Sequence, residues 1–448
     1  MSLTQFRSEI LKNAAGMGVK SLTSFQTKAV QSILNQQNTA ILSQPGSGKS
    51  LSYVLALSQM LSLNINKNPS IYTESSLNTL FKAHQTSKIK PPNHGALIIV
   101  PTQELSLEIY KYFRLIAPWL NIGRTNSSLP EVAKSINFTN DDSINEESIK
   151  QQSFHNLALS IDWGVIDILI STPSILSQIV EYRIAINESI INPKTIVIDE
   201  MDLILEEKSF SNSLSRVFSL IEHCNKKHFI LSGSLYPYSA FSPSPASILE
   251  KNFNNLKFVV SDDYNKIPEN LVFKFYYLNE TKQSGMSELI EIVEKNYNDR
   301  FVIFGAYISR CMDIKNSLMG KGIGTSILLG DMNLEERIEE QMDFFKKNRV
   351  LVSIDIAARG IEYNASHVVI YNLPKNPSLL VNRIGRVGRN GKKGNVHIFL
   401  NQNENEISNL LKPGELWEPV FKFYLSKNKQ KLKVHNILDV DINESSDD

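Results

Sequence analysis

The 448-residue chain is 42% hydrophobic and 21% charged, and its formal net charge is +1. This length suggests two or three domains of about 150 residues, each able to bury a core. No apolar stretch reaches the ~18 residues of a membrane-spanning helix, which excludes a membrane protein. The two cysteines, Cys224 and Cys311, lack metal-ligand spacing, so we expect neither a disulfide framework nor a zinc site. The balanced charge leaves a nucleic-acid partner open, because one local basic groove would suffice.

Short apolar strands alternate with longer helical stretches along the chain. Near-continuous apolar strands are typical of parallel sheets that are covered on both faces. The alternation therefore predicts an α/β doubly wound sheet, and the pattern occurs twice. The clearest predicted strands are Ala96–Val100, Asp167–Ser171, Thr195–Asp199, His228–Leu231, Phe301–Phe304, Arg349–Ser353 and Val368–Tyr371.

Changes in composition divide the chain. A polar break at Ser261–Glu269 predicts a linker, which we place at residues 261–270. Residues 62–94 and 125–155 are polar and are predicted to be surface insertions. A lysine cluster near the end predicts either a solvated helix face or an auxiliary nucleic-acid contact. The predicted segments are residues 1–20 as an N-terminal flank, 21–260 as domain 1, 271–425 as domain 2 and 426–448 as a basic, then acidic, tail.

Residues 43–50 read SQPGSGKS and lie between a strand-like segment and a helical one. This context is typical of a phosphate-binding loop, in which glycines let backbone N–H groups approach phosphates. We expect Lys49 to reach the β- and γ-phosphates and the Ser50 hydroxyl to bind Mg²⁺. The alternative interpretation is a glycine-rich turn without a ligand. The predicted nucleotide-binding residues of the loop are Ser43, Gln44, Pro45, Gly46, Ser47, Gly48, Lys49 and Ser50.

Two further patterns supply charge to such a site. An apolar strand ends at Asp199, which can hold Mg²⁺, and is followed by Glu200, which can polarise an attacking water. In NRIGRVGRNGKKG, from Asn382 onward, Arg386 and Arg389 are three residues apart on one helix face. Their guanidinium groups can act as arginine fingers on a γ-phosphate. An acidic turn and a generic basic patch are the alternative interpretations.

These motifs, in this order, resemble those of DEAD-box RNA helicases over nearly the whole chain. DEMD at 199–202 resembles the name-giving box, and Gln26 in SLTSFQ resembles the family's adenine-reading glutamine. Gly360 and Glu362, in VSIDIAARGIE, resemble nucleotide-contacting positions, with Glu362 in place of an aspartate near the ribose. Further matches are PTQEL at 101–105, STPSI at 171–175, SGS at 232–234, FVIFG at 301–305 and GDMNLEER at 330–337.

The resemblance implies a fold and an activity. It implies two tandem RecA-like domains, with parallel sheets flanked by helices, that clamp ATP, Mg²⁺ and RNA between them. The implied enzyme is a monomer that contacts the backbone of single-stranded RNA or a short duplex, and local unwinding follows from bending the bound strand. The implied catalytic residues are Lys49, Asp199, Glu200, Arg386 and Arg389.

The departures from the family pattern cluster in motifs that hold RNA or couple the domains. Gln103 and Ile175 replace arginines, and Ile354 and Asn382 replace a threonine and a histidine of the family pattern. Losing a guanidinium weakens phosphate contacts, so we expect weak, salt-sensitive RNA binding. One alternative is a hydrolysis-poor, ATP-gated RNA clamp or assembly scaffold. A second is a P-loop ATPase or DNA helicase that does not act on RNA.

The cellular setting follows only from finer features of the resemblance. TPSI in place of TPGR, and EEKSF after the acidic box, favour divergent mitochondrial members that assist ribosome assembly. We therefore expect the mitochondrial matrix, with the nucleus, the nucleolus or the cytoplasm as alternatives, and ribosomal or other ribonucleoprotein particles as partners.

Overall fold

The computed structural model describes residues 6–65, 95–125, 166–185, 193–206, 208–220, 227–234, 255–262, 264, 266–278, 285–332, 334–354, 363–374 and 377–401. The described strands form two parallel sheets, each covered by helices on both faces. The predicted α/β architecture with two parallel sheets is confirmed. Within the described residues, no helix is long and apolar enough to span a membrane.

The first sheet has seven strands in the order β3-β4-β2-β5-β6-β1-β7, and every neighbouring pair is parallel. Its strands are β1 Thr39–Leu42, β2 Ala96–Ile99, β3 Ile122–Arg124, β4 Ile168–Ser171, β5 Thr195–Ile198, β6 His228–Gly233 and β7 Lys257–Val260. Its helices are α1 Ser8–Gly16, α2 Ser24–Leu34, α3 Lys49–Ile65, α4 Gln103–Ile116, α5 Pro173–Ala185, α6 Met201–Glu206 and α7 Lys208–Leu220.

The apolar strands of this sheet bury both of their faces. Ile41 of β1 packs in a core with α1–α4, whereas its neighbours Ala40 and Leu42 pack in a core with α5–α7. Successive side chains of a strand point to opposite faces, so a strand between two helical layers is apolar throughout. This double burial explains the uninterrupted apolar runs in the sequence.

The second sheet has six parallel strands in the order β10-β11-β9-β12-β13-β8. Its strands are β8 Leu271–Leu278, β9 Phe301–Phe304, β10 Thr325–Leu328, β11 Val350–Ser353, β12 His367–Ile370 and β13 Gly394–Asn401. Its helices are α8 Met286–Lys295, α9 Ile308–Met319, α10 Leu334–Lys346 and α11 Pro377–Ile384, followed by a 3₁₀ turn at Arg389–Gly391. Two cores, one on each face, again enclose the strands.

All the strands predicted from the sequence are present, with ends that differ by at most two residues. Parallel strands place all their carboxyl ends at one edge of a sheet, where ligands bind in such folds. The glycine-rich loop follows β1 and the DEMD segment follows β5, and only β6 separates these two strands. The fold therefore brings the two motifs to one edge.

Some predictions concern residues outside the described ranges. These are the insertions, apart from residues 62–65 and Thr125, together with Cys224 and the lysine cluster. Gly360 and Glu362 also lie outside. Cys311, a residue of α9, is a buried free thiol in one core of the second sheet.

A chain of hydrogen bonds crosses one face of the second sheet. The Tyr276 hydroxyl lies 3.0 Å from His397 Nδ1, and His397 Nε2 lies 2.9 Å from His367 Nδ1. His367 Nε2 lies 3.3 Å from Asp299 Oδ2. Two neutral rings satisfy every contact if each group donates to the next, from Tyr276 to Asp299. Protonating His367 at Nδ1 would place two N–H donors against each other, and protonating His397 at Nδ1 would require the Tyr276 hydroxyl to turn and accept. Burial lowers the pKa of His367 and lowers that of His397 to about 3.

These linked hydrogen bonds predict that the protein loses stability in mild acid. An unfolded His397 binds a proton below its ordinary pKa of about 6.5, whereas the folded ring stays neutral until about pH 3. The contribution of His397 to the free energy of unfolding is therefore fully present above pH 6.5. At pH 5 the free energy of unfolding is lower by about 2 kcal/mol. Thermal unfolding followed between pH 7.5 and pH 5 should show a shallower pH dependence in His397→Phe than in the wild type. Parallel pH curves for the two proteins would contradict this assignment.

Candidate active site

The glycine-rich loop joins β1 to α3 through two residues with left-handed backbones. Gly46 has a φ of +81° and Gly48 a φ of +82°, which glycine adopts without strain. Gly48 also lies against the Gln26 amide, and a side chain at position 48 would occupy the same space. The loop is therefore closely packed and holds its backbone N–H groups at the start of α3, where helix geometry favours anions.

Lys49 is the first residue of α3 and points back into the loop. Its Nζ donates to the carbonyls of Ser43 at 2.8 Å and Gln44 at 2.9 Å, and to the Ser234 hydroxyl at 3.2 Å. Burial lowers the pKa of the ammonium to about 8, while Asp202, Asp199 and Glu200 oppose that shift. The loop thus encloses a cation at the position from which a lysine reaches phosphates.

Asp199 follows β5 and is 1% exposed. Its Oδ2 accepts hydrogen bonds from the Ser50 hydroxyl at 2.9 Å and the Tyr53 hydroxyl at 2.7 Å. Its Oδ1 accepts from the backbone N–H of Glu200 at 2.9 Å. Burial, and to a lesser extent Asp199, raise the pKa of the Tyr53 phenol well above its ordinary value, so this hydroxyl remains a donor.

Glu200 occupies a strained position between β5 and α6. Its φ of +47° lies in the left-handed region, which costs a residue with a side chain of order 1–3 kcal/mol. The turn allows Glu200 to line the same cavity as Lys49. Two residues later, Asp202 Oδ1 accepts from the backbone N–H of Ser234 at 3.2 Å, which ties this turn to the end of β6. Strain held by such surroundings is typical of functional sites.

The second domain reaches this site through the segment after α11. Because α11 ends at Ile384 and Arg389 begins a separate 3₁₀ turn, the prediction that Arg386 and Arg389 share one helix face is wrong. Arg386 is 4% exposed, and its Nε donates to the Asn382 carbonyl at 3.1 Å. Arg389 Nε donates to the Gly385 carbonyl at 2.9 Å. Burial, and to a lesser extent Arg389, lower the pKa of Arg386 to about 9. The guanidinium group therefore keeps its charge at neutral pH.

The two domains touch at the glycine-rich loop itself. A Cβ at Gly385 would lie 2.9 Å from Pro45 Cβ, which is closer than two carbon atoms approach. A Cβ at Gly46 would lie 3.4 Å from the Arg389 side chain. Small residues on both sides thus let the arginine segment approach the loop.

A cavity of about 320 Å³ lies between the domains at this contact. Of the predicted residues, it is lined by Pro45, Gly46, Gly48, Lys49, Ser50, Asp199, Glu200, Arg386 and Arg389. Cations from both domains thus face carboxylates at the end of β5. This arrangement suits a polyphosphate, whose charge the cations would balance.

Four predicted residues lie beside the cavity, with other contacts. Gln26 Oε1 accepts from the Thr23 backbone N–H at 2.9 Å, and its Nε2 lies 3.4 Å from the Ser47 carbonyl. The amide thus caps α2 and contacts the loop at once. Ser43 and Ser47 share a short hydroxyl contact, and the Gln44 amide donates to the Lys266 carbonyl in the segment between the sheets.

Several lining residues were not predicted. Glu108 and Tyr112 of α4 contribute a carboxylate and a phenol, and the Tyr112 hydroxyl donates to Glu108 Oε1 at 2.8 Å. Burial raises the pKa of Glu108, against the Tyr112 hydrogen bond and the two arginines. Met17 and Val19 supply apolar surface. Glu104 lies one helical turn before Glu108 but is not among the residues that line the cavity, so the spacing of the two glutamates did not indicate this site.

A second contact joins the domains away from the cavity. Arg337 Nη1 of α10 lies 3.1 Å from Glu104 Oε1 of α4, and Arg337 Nη2 donates to the Gly330 carbonyl at 2.7 Å. The two charged side chains are only 17% and 7% exposed. A buried pair that loses one partner leaves an uncompensated charge, which makes this contact sensitive to substitution.

Comparison with known proteins agrees with this geometry. The model of DEAD/DEAH box helicases matches residues 23–236, and that of the helicase conserved C-terminal domain matches residues 284–391. The chain belongs to the DEAD-box family of RNA helicases, a family of enzymes.

Named relatives are distant. The pre-mRNA-splicing ATP-dependent RNA helicase PRP28 of Debaryomyces hansenii is 25% identical, over 89% of this chain and 66% of the relative. The ATP-dependent RNA helicase RhlB of Hamiltonella defensa is 25% identical, over 86% of this chain and 79% of the relative. The ATP-dependent RNA helicase DRS1 of Lodderomyces elongisporus is 23% identical, over 91% of this chain but only 52% of the relative.

Solved structures share the two-domain fold. Saccharomyces cerevisiae Dbp5, bound to RNA and ADP BeF3, superposes with a TM-score of 0.66 at 18% identity, covering 94% of this chain and 97% of that one. Mss116p, bound to ssRNA and AMP-PNP, gives a TM-score of 0.65 at 18% identity, covering 95% and 85%. The predicted RecA-like tandem fold is therefore confirmed.

The interdomain pair predicts how the domains separate. Arg337→Ala would leave the Glu104 carboxylate buried without its cation. This would destabilise the closed arrangement of the two domains by about 3–5 kcal/mol, unless the domains separate and expose the carboxylate to water. We expect opening, and hence a larger radius of gyration by small-angle X-ray scattering with a non-hydrolysable nucleotide bound. Lys315→Ala is the control, because it breaks a 2.9 Å pair with Glu340 inside the second domain. Equal radii for wild type and Arg337→Ala would contradict the expectation.

Proposed function

We propose that this protein is an RNA-dependent ATPase that unwinds or remodels RNA or RNA–protein complexes. The observation that carries the proposal is the shared cavity. Lys49 and Glu200 of the first domain and Arg386 and Arg389 of the second line it together. Phosphoryl transfer depends mainly on positioning and on charge stabilisation, and these groups supply both.

The residues at the start of α3 fit a magnesium ion. The Ser50 hydroxyl and the Asp199 carboxylate converge at 2.9 Å beside the phosphate loop. Hard oxygen donors of this kind, completed by phosphate oxygens and water, are the usual environment of Mg²⁺. When bound there, the ion would neutralise charge on the phosphates. Ser50 and Asp199 would hold it.

Each remaining group has a proposed role in hydrolysis. Lys49 binds the β- and γ-phosphates, and Glu200 orients the attacking water and accepts its proton. Arg386 and Arg389 balance the charge that develops on the transferred phosphoryl group. Because these arginines belong to the other domain, hydrolysis requires the domains to stay together. Products are ADP and inorganic phosphate.

RNA is the proposed second ligand, in single-stranded form or as a short duplex. Relatives of this chain are named RNA helicases, and the Dbp5 and Mss116p structures hold RNA. At the candidate RNA motif, the Gln103 amide is buried with no hydrogen-bond partner among the described residues. An amide carries no charge, so this position supplies no electrostatic attraction to phosphates. Binding is therefore proposed to be weak and salt-sensitive.

The test is ATP turnover at low salt, with and without single-stranded RNA. RNA should stimulate turnover, and both Lys49→Ala and Glu200→Gln should abolish it. Glu200→Gln should still bind nucleotide, because the amide keeps the shape of the side chain but cannot accept the proton. A turnover rate that stays flat across an RNA titration would reject the proposed function.

A second candidate function is an ATP-gated RNA clamp or assembly scaffold that hydrolyses poorly. Asn382, in place of the family's histidine, lines the cavity beside Arg386, and this change in a coupling motif favours the candidate. The same experiment separates the two functions. ATP-dependent RNA binding without turnover in the wild type would favour the clamp.

We further propose, from the sequence resemblance alone, a role in mitochondrial ribosome assembly. The supporting features are TPSI at 172–175 and EEKSF at 206–210. Ribosomal or other ribonucleoprotein particles would then be the partners, and the protein would act as a monomer. Finding a tagged protein only in the nucleus, nucleolus or cytoplasm would reject this setting.

A further inference from the structure

Tyr53 stands on α3, three residues after Ser50, and belongs to no motif that the sequence singled out. Its side chain is 0% exposed, and its hydroxyl donates to Asp199 Oδ2 at 2.7 Å. We infer that Tyr53 is a positioning residue that fixes the Asp199 carboxylate for Mg²⁺. The inference rests on the proposed function, because it concerns the metal of that same site.

The hydrogen bonds to Asp199 leave it little freedom. A carboxylate has about four acceptor positions on its two oxygens. Among the described residues, the Tyr53 and Ser50 hydroxyls donate to Oδ2, and the backbone N–H of Glu200 donates to Oδ1. Rotation of the carboxylate would break these bonds together. One acceptor position on Oδ1 remains for the metal ion or for a water molecule bound to it.

Tyr53 and Ser50 both donate to Asp199 Oδ2, but they have different roles. Residues three apart on a helix share a face, so both hydroxyls reach the same oxygen. Ser50 is a candidate metal ligand, and its oxygen must also face the ion. The Tyr53 hydroxyl is not a candidate metal ligand, and its side chain lies in the core of the first domain. It can therefore hold the orientation of Asp199 whether or not the metal is bound.

The alternative is a core tyrosine whose hydroxyl is merely satisfied by a nearby carboxylate. The ring packs in the core of the first sheet, and that packing needs no hydroxyl. Tyr53→Phe removes the hydroxyl and keeps the ring, so it separates the two roles. Loss of a hydrogen bond that orients a metal ligand typically reduces metal affinity 10–100-fold.

The experiment measures binding of a fluorescent, non-hydrolysable ATP analogue to the full chain, first in EDTA and then across a Mg²⁺ titration. In EDTA, Tyr53→Phe should bind within about twofold of the wild type. Its half-maximal Mg²⁺ concentration should rise by about tenfold. In steady-state assays, kcat at saturating Mg²⁺ should approach the wild-type value. Tyr276→Phe is the control, because it removes a hydrogen-bonded hydroxyl in the second domain.

The outcomes are distinguishable. Equal Mg²⁺ midpoints in Tyr53→Phe and wild type would overturn the inference and leave the proposed function intact. An equal loss of affinity with and without Mg²⁺ would also overturn it, because Tyr53 would then support the pocket and not the metal. Failure of the wild type to bind the nucleotide at all would reject the proposed function itself.

Discussion

The site depends on one contact, the packing of the phosphate loop of one domain against the arginine segment of the other. Pro45 fits against Gly385, and the Arg389 side chain lies over Gly46. Neither sheet alone carries both the carboxylates and the arginines, so the cavity exists only where the two domains meet. The buried Glu104–Arg337 pair adds a second attachment. Under the proposed function, domain closure would therefore bring the proposed catalytic groups together in a single event.

Much of the fold could be predicted from apolar runs, and the exceptions have a common cause. The strands that were not predicted include β3, β7, β8 and β10, which are the four edge strands of the two sheets. A polar residue interrupts or shortens the apolar run in each of them: Arg124 in β3, Lys257 in β7, Lys274 in β8, and Thr325 with Ser326 in β10. The burial pattern of β7 shows one buried residue out of four. Inside the second sheet, β13 was not predicted because His397 interrupts its apolar run. This histidine is nevertheless buried, and its ring nitrogens are hydrogen-bonded.

The residues of the candidate site also fall into those that the sequence identified and those that it did not. The loop, Asp199, Glu200 and the arginines could be identified because each chemical role requires particular residue types at fixed spacing. Tyr53, Glu108 and the Gln26 contacts could not, because they depend on how helices pack and which face each presents. The polar surroundings of Asp199 are determined by α3, and those of Arg386 by the approach of a second domain. Local sequence does not contain these distances.

The most direct test of this account compares a ground-state and a transition-state mimic of the bound nucleotide. ADP lacks the γ-phosphoryl group, whereas ADP with aluminium fluoride presents the position of that group, which the arginines should reach. With RNA present, Arg386→Ala and Arg389→Ala are predicted to bind ADP like the wild type but to lose tight binding of ADP–aluminium fluoride. Unchanged affinity for both ligands in both variants would contradict a catalytic site that is shared between the domains.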